Sequence, residues 1–253
     1  MPPFADRVAY IAAPAIVVVS VLLSFAVVPF GTGGAIVDLN IGLLFFLALS
    51  SMSVYSVLLA GLGSNSKYAL ISAVRSAAQM ISYELAVGLS LASVVVMVGS
   101  LNLRVIVEAQ AAMPFILVQP VAFLIFFVAG FAETKRLPFD LPEAENELVA
   151  GFHTEYASMK FALFFLGEYL AMILFASIAT AVFLGGGSGP GGPSLGWYFL
   201  KIAVLLYVFI WVRGTLPRAR YDHLMTFGWK VLVPVALVNL VVTGALVVSR
   251  AGA

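Results

Sequence analysis

Seven apolar runs, each close to the length of a membrane-crossing helix, follow one another along this chain with short gaps between them. They cover residues 8–28, 39–62, 80–98, 114–132, 160–184, 197–212 and 231–248. A hydrocarbon layer of ~30 Å needs about 20 helical residues to cross it. Backbone amides in lipid must also find partners inside their own segment. The pattern therefore predicts an all-α fold, a polytopic transmembrane bundle of seven spans. Charge content agrees: Asp, Glu, Lys and Arg make up 10% of the 253 residues, against about 25% in a soluble domain. So few charges cannot cover a water-facing surface. Because the gaps are short, residues 1–253 read as a single transmembrane domain. The first run is too long for a cleavable signal sequence, and no small-residue cleavage site follows it.

Orientation follows from the basic residues, which gather on the cytoplasmic side of membrane proteins. With the N-terminus on that side, or on the matrix side of a mitochondrial membrane, one face holds Arg7, Lys67, Arg75, Lys135, Arg136, Lys160, Arg213, Arg218, Arg220 and Lys230. The opposite face holds Arg104, Lys201 and Arg250 together with the C-terminus. The chain has no cysteine, which excludes disulfides and thiolate-held metals or clusters. His153 and His223 are the two histidines; they read as interfacial residues, so no metal site is expected. The run from Gly185 to Pro193 reads as a flexible, uncharged connector.

The acidic residues are unevenly placed. Six of the twelve, Glu133, Asp140, Glu143, Glu145, Glu147 and Glu155, lie on the polar connection 133–159. Two more, Glu84 and Glu168, fall inside spans. A carboxylate at membrane depth is costly, so each should face the bundle interior or a watery cavity, and such residues mark ion or proton pathways. A structural pairing with a nearby arginine is the plainer alternative. On the connection, Asp140-Leu141-Pro142-Glu143 reads as a capped helix start. The helix it opens would carry Glu143 and Glu147 on one face, with Glu145 turned away. Carboxyls so grouped would titrate together, a medium for relaying protons. The same residues are equally readable as a solvated face balanced by Lys135 and Arg136.

The segment from Ala132-Glu133-Thr134-Lys135-Arg136 through Pro138-Phe139-Asp140-Leu141-Pro142-Glu143-Ala144-Glu145-Asn146-Glu147 to Glu155-Tyr156 resembles the long loop of the H-type (subunit 1 type) membrane protein family of respiratory complex I, NADH:quinone oxidoreductase. Ile81-Ser82-Tyr83-Glu84, Glu168-Tyr169 and the run Arg213 to Asp222 agree with the same family in the same order. The resemblance extends from Ala5 to Val248. It implies a membrane subunit at the junction of a peripheral redox arm and a membrane arm, not catalytic alone, that helps form a quinone chamber and a carboxylate path for protons. On that resemblance, Glu84, Glu133, Glu145, Glu147 and Glu168 belong to the proton path. Arg136, Asp140, Glu143, Glu155 and Arg213 match loop and funnel positions at the quinone end.

It implies further that this chain binds no cofactor of its own, with quinone as the substrate of the complex and flavin and iron–sulfur clusters on partner subunits. The expected partners are the other complex I subunits, quinone and the lipid bilayer, with no nucleic acid. The expected place is the bacterial plasma membrane or the mitochondrial inner membrane. Family members usually carry a further membrane helix and an amphipathic segment ahead of the part that begins here near Ala5, so an N-terminal portion of the quinone entrance is expected to be missing. Two other readings are the equivalent subunit of a membrane-bound hydrogenase and a stand-alone ion transporter. A transporter often shows repeated halves with broken helices, and no internal repeat is visible here.

Overall fold

The structure, a computed structural model, describes residues 5–31, 34–140 and 151–251. The helices are α1 (Arg7–Phe25), α2 (Gly42–Gly63), α3 (Lys67–Val98), α4 (Leu103–Glu108), α5 (Phe115–Val118), α6 (Pro120–Glu133), α7 (Met159–Phe183), α8 (Leu195–Thr215), α9 (Tyr221–Phe227) and α10 (Val233–Ala251). A 3-10 turn occupies Gly151–His153, and one π turn, Gly228–Leu232, joins α9 to α10 without a break. No named strand occurs among the described residues. Among the described residues six helical stretches are long and apolar enough to cross a membrane, and α6 is a shorter apolar helix.

Two spans differ from expectation. The fourth, read as one run over 114–132, is broken into α5 and α6 at Gln119 (φ −127°, ψ 56°). Pro120 lacks an amide hydrogen and pushes the preceding residue out of the helical region. The Gln119 side chain at the break is held by α10: Gln119 Nε2 donates to Thr243 Oγ1 at 2.8 Å, and Asn239 Nδ2 donates to Gln119 Oε1 at 3.1 Å. The third span begins at Lys67 rather than near residue 80. No Pro or Gly interrupts residues 67–87, so nothing stops the helix short of its first polar turns.

Close helix crossings rest on small residues, as is usual where lipid leaves packing to do the work. At Gly61 on α2, a Cβ would come 2.9 Å from the Ala69 carbonyl oxygen of α3. At Gly167 on α7, a Cβ would lie 2.9 Å from Val17 Cγ1 of α1. Caps fix several ends: the Asp6 carboxylate accepts from Val8 N and Ala9 N, and Asp6 N donates to Gly63 O, tying the start of α1 to the end of α2. The Gly185–Pro193 connector, expected to be flexible, is instead pinned. Lys201 Nζ on α8 donates to the carbonyls of Leu184 (2.6 Å), Gly186 (2.9 Å) and Ser188 (2.6 Å).

The buried apolar side chains form two groups. One centres on Phe46, Tyr83, Phe126 and Phe175; the other on Tyr10, Val57, Met80 and Phe152. The polar site lies where the two groups meet.

Candidate functional site

The site starts from the way α6 ends. Arg136 N donates to Phe131 O and Lys135 N to Ala132 O, the paired reverse bonds of a Schellman cap. That cap puts its C′ residue in the left-handed region, and Lys135 sits there at φ +53°. A non-glycine residue pays about 1–2 kcal/mol for that conformation. Gln79 of α3 holds the same turn from below, its Nε2 donating to Ala132 O and Phe139 O at 2.9 Å each. Glu133 closes α6 facing the interior, and the cap turns Lys135 and Arg136 inward beside it. They are 6%, 5% and 7% exposed.

Glu168, on α7, meets them from the other side and is 6% exposed. Its Oε1 lies 3.9 Å from Lys135 Nζ and its Oε2 lies 3.9 Å from Arg136 Nη2. The Arg136 guanidinium stacks 4.3 Å above the Tyr169 ring, and Lys135 Nζ lies 4.7 Å from the Phe152 ring centroid. Neither oxygen of Glu133 has a hydrogen-bond partner among the described residues. An ionised group buried without such a partner is expensive, and among the described residues the charges whose fields reach Glu133 are those of Glu84 and Lys135.

Glu133, Lys135 and Glu168 line one cavity of about 40 Å³, together with Ser24, Ser50 and Ser53. Each serine hydroxyl donates to a backbone carbonyl, Ser24 to Ser20 O, Ser50 to Leu47 O and Ser53 to Ser50 O, so the hydroxyl lone pairs stay available to accept. A void of this size, lined mostly by apolar side chains with these few polar groups among them, has room for about two water molecules. Two carboxylates and an ammonium thus share a small void inside an apolar bundle, with the Arg136 guanidinium beside Glu168. Such an arrangement can hold and exchange protons.

Glu84 stands next to this cluster and opens elsewhere. On α3, it lines an outward groove of about 500 Å³ with Leu44, Ile81 and Leu89, and it accepts a hydrogen bond from Ser51 Oγ of α2. Tyr83, its neighbour, donates to Leu224 O at 3.0 Å, and Trp229 Nε1 in the π turn donates to Ser82 Oγ. Asp140 accepts from Arg218 Nη2 at 3.0 Å, and Ala219 N donates to Pro138 O, so the connection after α6 is tied to the one after α8.

Of the remaining expected residues, Glu155 and Arg213 do not line the cavity. The Glu155 carbonyl accepts from the Tyr10 hydroxyl at 2.7 Å. Arg213 is exposed in the last turn of α8. Glu143, Glu145 and Glu147, with the helix expected to carry them, lie outside the described residues. Sequence reasoning missed Lys135 as more than a balancing charge; its signal was a lysine where a helix-ending turn favours glycine. It missed His153 as well. That residue is buried against Phe152, Phe161 and Phe165, and burial, with the nearby Lys135 charge, holds its pKa down at about 4. Burial and the neighbouring Tyr10 push the Tyr156 hydroxyl above its ordinary value; the two rings stack at 4.1 Å. Among the described residues no group of three or more His, Cys, Asp or Glu side chains could hold a metal ion.

Comparison with known proteins adds a second line. A family model described as NADH dehydrogenase matches residues 1–244. The chain is 55% identical over 254 residues to an H-type subunit of the NADH-quinone oxidoreductase of Syntrophobacter fumaroxidans, covering 97% of this chain and 77% of that protein. It is 53% identical to the H-type subunit of the same enzyme from Syntrophotalea carbinolica, covering 99% of this chain and 78% of that one. The counterpart from Methylococcus capsulatus is also 53% identical, with 98% and 79% covered.

Proposed function

The chain belongs to the NADH dehydrogenase family, and from that premise we propose that it relays protons through the Glu133–Lys135–Glu168 cavity of a membrane-embedded oxidoreductase subunit. It is a multi-pass membrane subunit of an NADH-quinone oxidoreductase, in the bacterial plasma membrane. The hydrogenase reading is not favoured, since the relatives are named as subunits of the quinone enzyme.

The observation that carries the proton reading is the meeting of Glu133 and Glu168 in one buried cavity, with Glu84 close enough for its charge to be felt at Glu133. Buried carboxylates this expensive are kept where a pathway needs them. The path runs from the Asp140 and Arg136 end, through the cavity, to Glu84 and the outward groove it lines. Glu143, Glu145 and Glu147 feed it from the connection, and Glu155 and Arg213 border its quinone end. Quinone reduction itself uses flavin and iron–sulfur centres on partner subunits. The end of the bundle that carries Arg136, Arg218 and Lys67 faces the cytoplasm.

Glu133→Gln tests this in the assembled complex in sealed vesicles. Glutamine keeps the shape and removes the titrating proton, so quinone-linked proton translocation should fall by about tenfold or more. Electron transfer from NADH to a water-soluble acceptor should persist. Unchanged translocation in a fully assembled complex would remove the basis for the reading.

A further inference from the structure

Lys135 occupies a position that a simpler residue would fill with less strain. It sits at φ +53°, at the helix-ending position where glycine carries no steric penalty. Its side chain nonetheless turns into the bundle, 5% exposed, and lines the same cavity as Glu133 and Glu168. Charge balance between two carboxylates and two cations asks for a positive side chain here, but not for a lysine in particular. Arg136 already brings a cation within 3.9 Å of Glu168. The two cations differ in chemistry: a guanidinium keeps its proton throughout the physiological range, whereas an ammonium can give one up when its surroundings favour the amine.

Resting on the proton-relay reading, we propose that Lys135 is itself a proton-exchanging member of the relay, carrying a proton between Glu168 and Glu133, while Arg136 supplies fixed charge. One Nζ–H bond breaks as its proton passes, directly or through cavity water, to the Glu133 carboxylate, leaving a neutral amine and a carboxylic acid. The amine lone pair then takes the proton of a protonated Glu168, which restores the ammonium and leaves Glu168 ionised beside Arg136. The net change is one proton moved from Glu168 to Glu133. Besides these partners, the titratable or charged groups facing the site among the described residues are Glu84 on α3, Asp140 on the connection, His153 on the 3-10 turn and Tyr169 on α7.

The test uses the assembled complex in sealed vesicles carrying Lys135→Gly or Lys135→Arg. Glycine suits the left-handed backbone, so the first variant removes the amine without adding strain. Both should keep NADH oxidation by a water-soluble acceptor and lose about tenfold or more of quinone-linked proton translocation. Small primary amines should restore translocation to Lys135→Gly, in the order of their proton affinity, and tetramethylammonium should not. Either variant at the parent rate with the parent pH profile overturns the proposal. Rescue by tetramethylammonium equal to that by the amines, or no rescue by any amine, does the same. If Lys135→Arg does not assemble, Lys135→Gly and its rescue decide. Glu133→Gln separates the two ideas: loss of translocation there, with none in the Lys135 variants, sinks this inference alone, whereas full translocation there sinks the relay reading beneath it.

Discussion

Lys135 Nζ lies 3.9 Å from Glu168 Oε1, a cation from the end of one helix facing a carboxylate from the middle of another, with side chains only 5% and 7% exposed. Neither charge has bulk water to solvate it. Glu168 depends on Lys135 and Arg136, and Lys135 faces Glu168 and the Phe152 ring. The pair is therefore both a structural joint between α6 and α7 and a place where a change of protonation alters the local balance.

Glu168→Leu should weaken that joint, because Lys135 and Arg136 would remain buried with no carboxylate from α7 opposing them. Removing one partner of a buried pair costs about 3–5 kcal/mol. The amount of this chain recovered in assembled complex should drop sharply. Adding Lys135→Met to Glu168→Leu should recover part of it, and no recovery would mean that the two charges are not coupled.

Acid stability should carry a signature of His153. In the unfolded chain its imidazole protonates near 6.5, and in the folded chain burial and Lys135 hold it neutral down to about 4. Between those values the unfolded state binds more protons, so this group lowers stability as pH falls from 6.5 towards 4 and has no such effect above 6.5. His153→Phe, which suits the surrounding rings of Phe161 and Phe165, should reduce the loss in thermal midpoint between pH 7 and pH 5. An unchanged loss would contradict the assignment.

The α1–α7 crossing should not tolerate a side chain at Gly167. Its Cβ would lie 2.9 Å and 3.1 Å from the two Val17 methyls, and overpacking of this kind costs about 1–3 kcal/mol. Gly167→Ala should lower the thermal midpoint of the purified complex. Val17→Ala in the same chain should restore most of it, by removing the two methyls that clash.

Lys201→Met should loosen the Gly185–Pro193 connector. Three carbonyls lose their donor at once, and leaving even one of them unsatisfied costs about 1–3 kcal/mol. Limited proteolysis should cut the connector faster than in the parent. Equal rates would show that Lys201 does not hold it.

Orientation is open to direct labelling, because the chain has no native cysteine. Ser249 is exposed near the end of α10. Ser249→Cys should react with a membrane-impermeant maleimide in intact cells and resist it in sealed inside-out vesicles. The reverse pattern would invert the assigned topology.

The membrane-spanning character of the chain was legible because hydropathy is a local property, set by about 20 consecutive residues whatever their neighbours do. The break in the fourth span was also written locally, in Pro120, although the unbroken hydropathy of the run masks it. Glu84, Glu133 and Glu168 could be picked out one by one, since a carboxylate at membrane depth is unusual wherever it faces.

Their company could not be read in that way. Helical spacing says which residues share a face but leaves each helix free to rotate about its axis. That angle is set by crossings such as those at Gly61 and Gly167, which depend on which helix lies opposite. Only the folded bundle brings Glu133 and Glu168 to one cavity while opening Glu84 to another. Only the left-handed turn at Lys135 swings an ammonium into that cavity. The sequence alone determined that charges lie at membrane depth; tertiary packing decided which of them meet, because burial and distance are properties of several helices together.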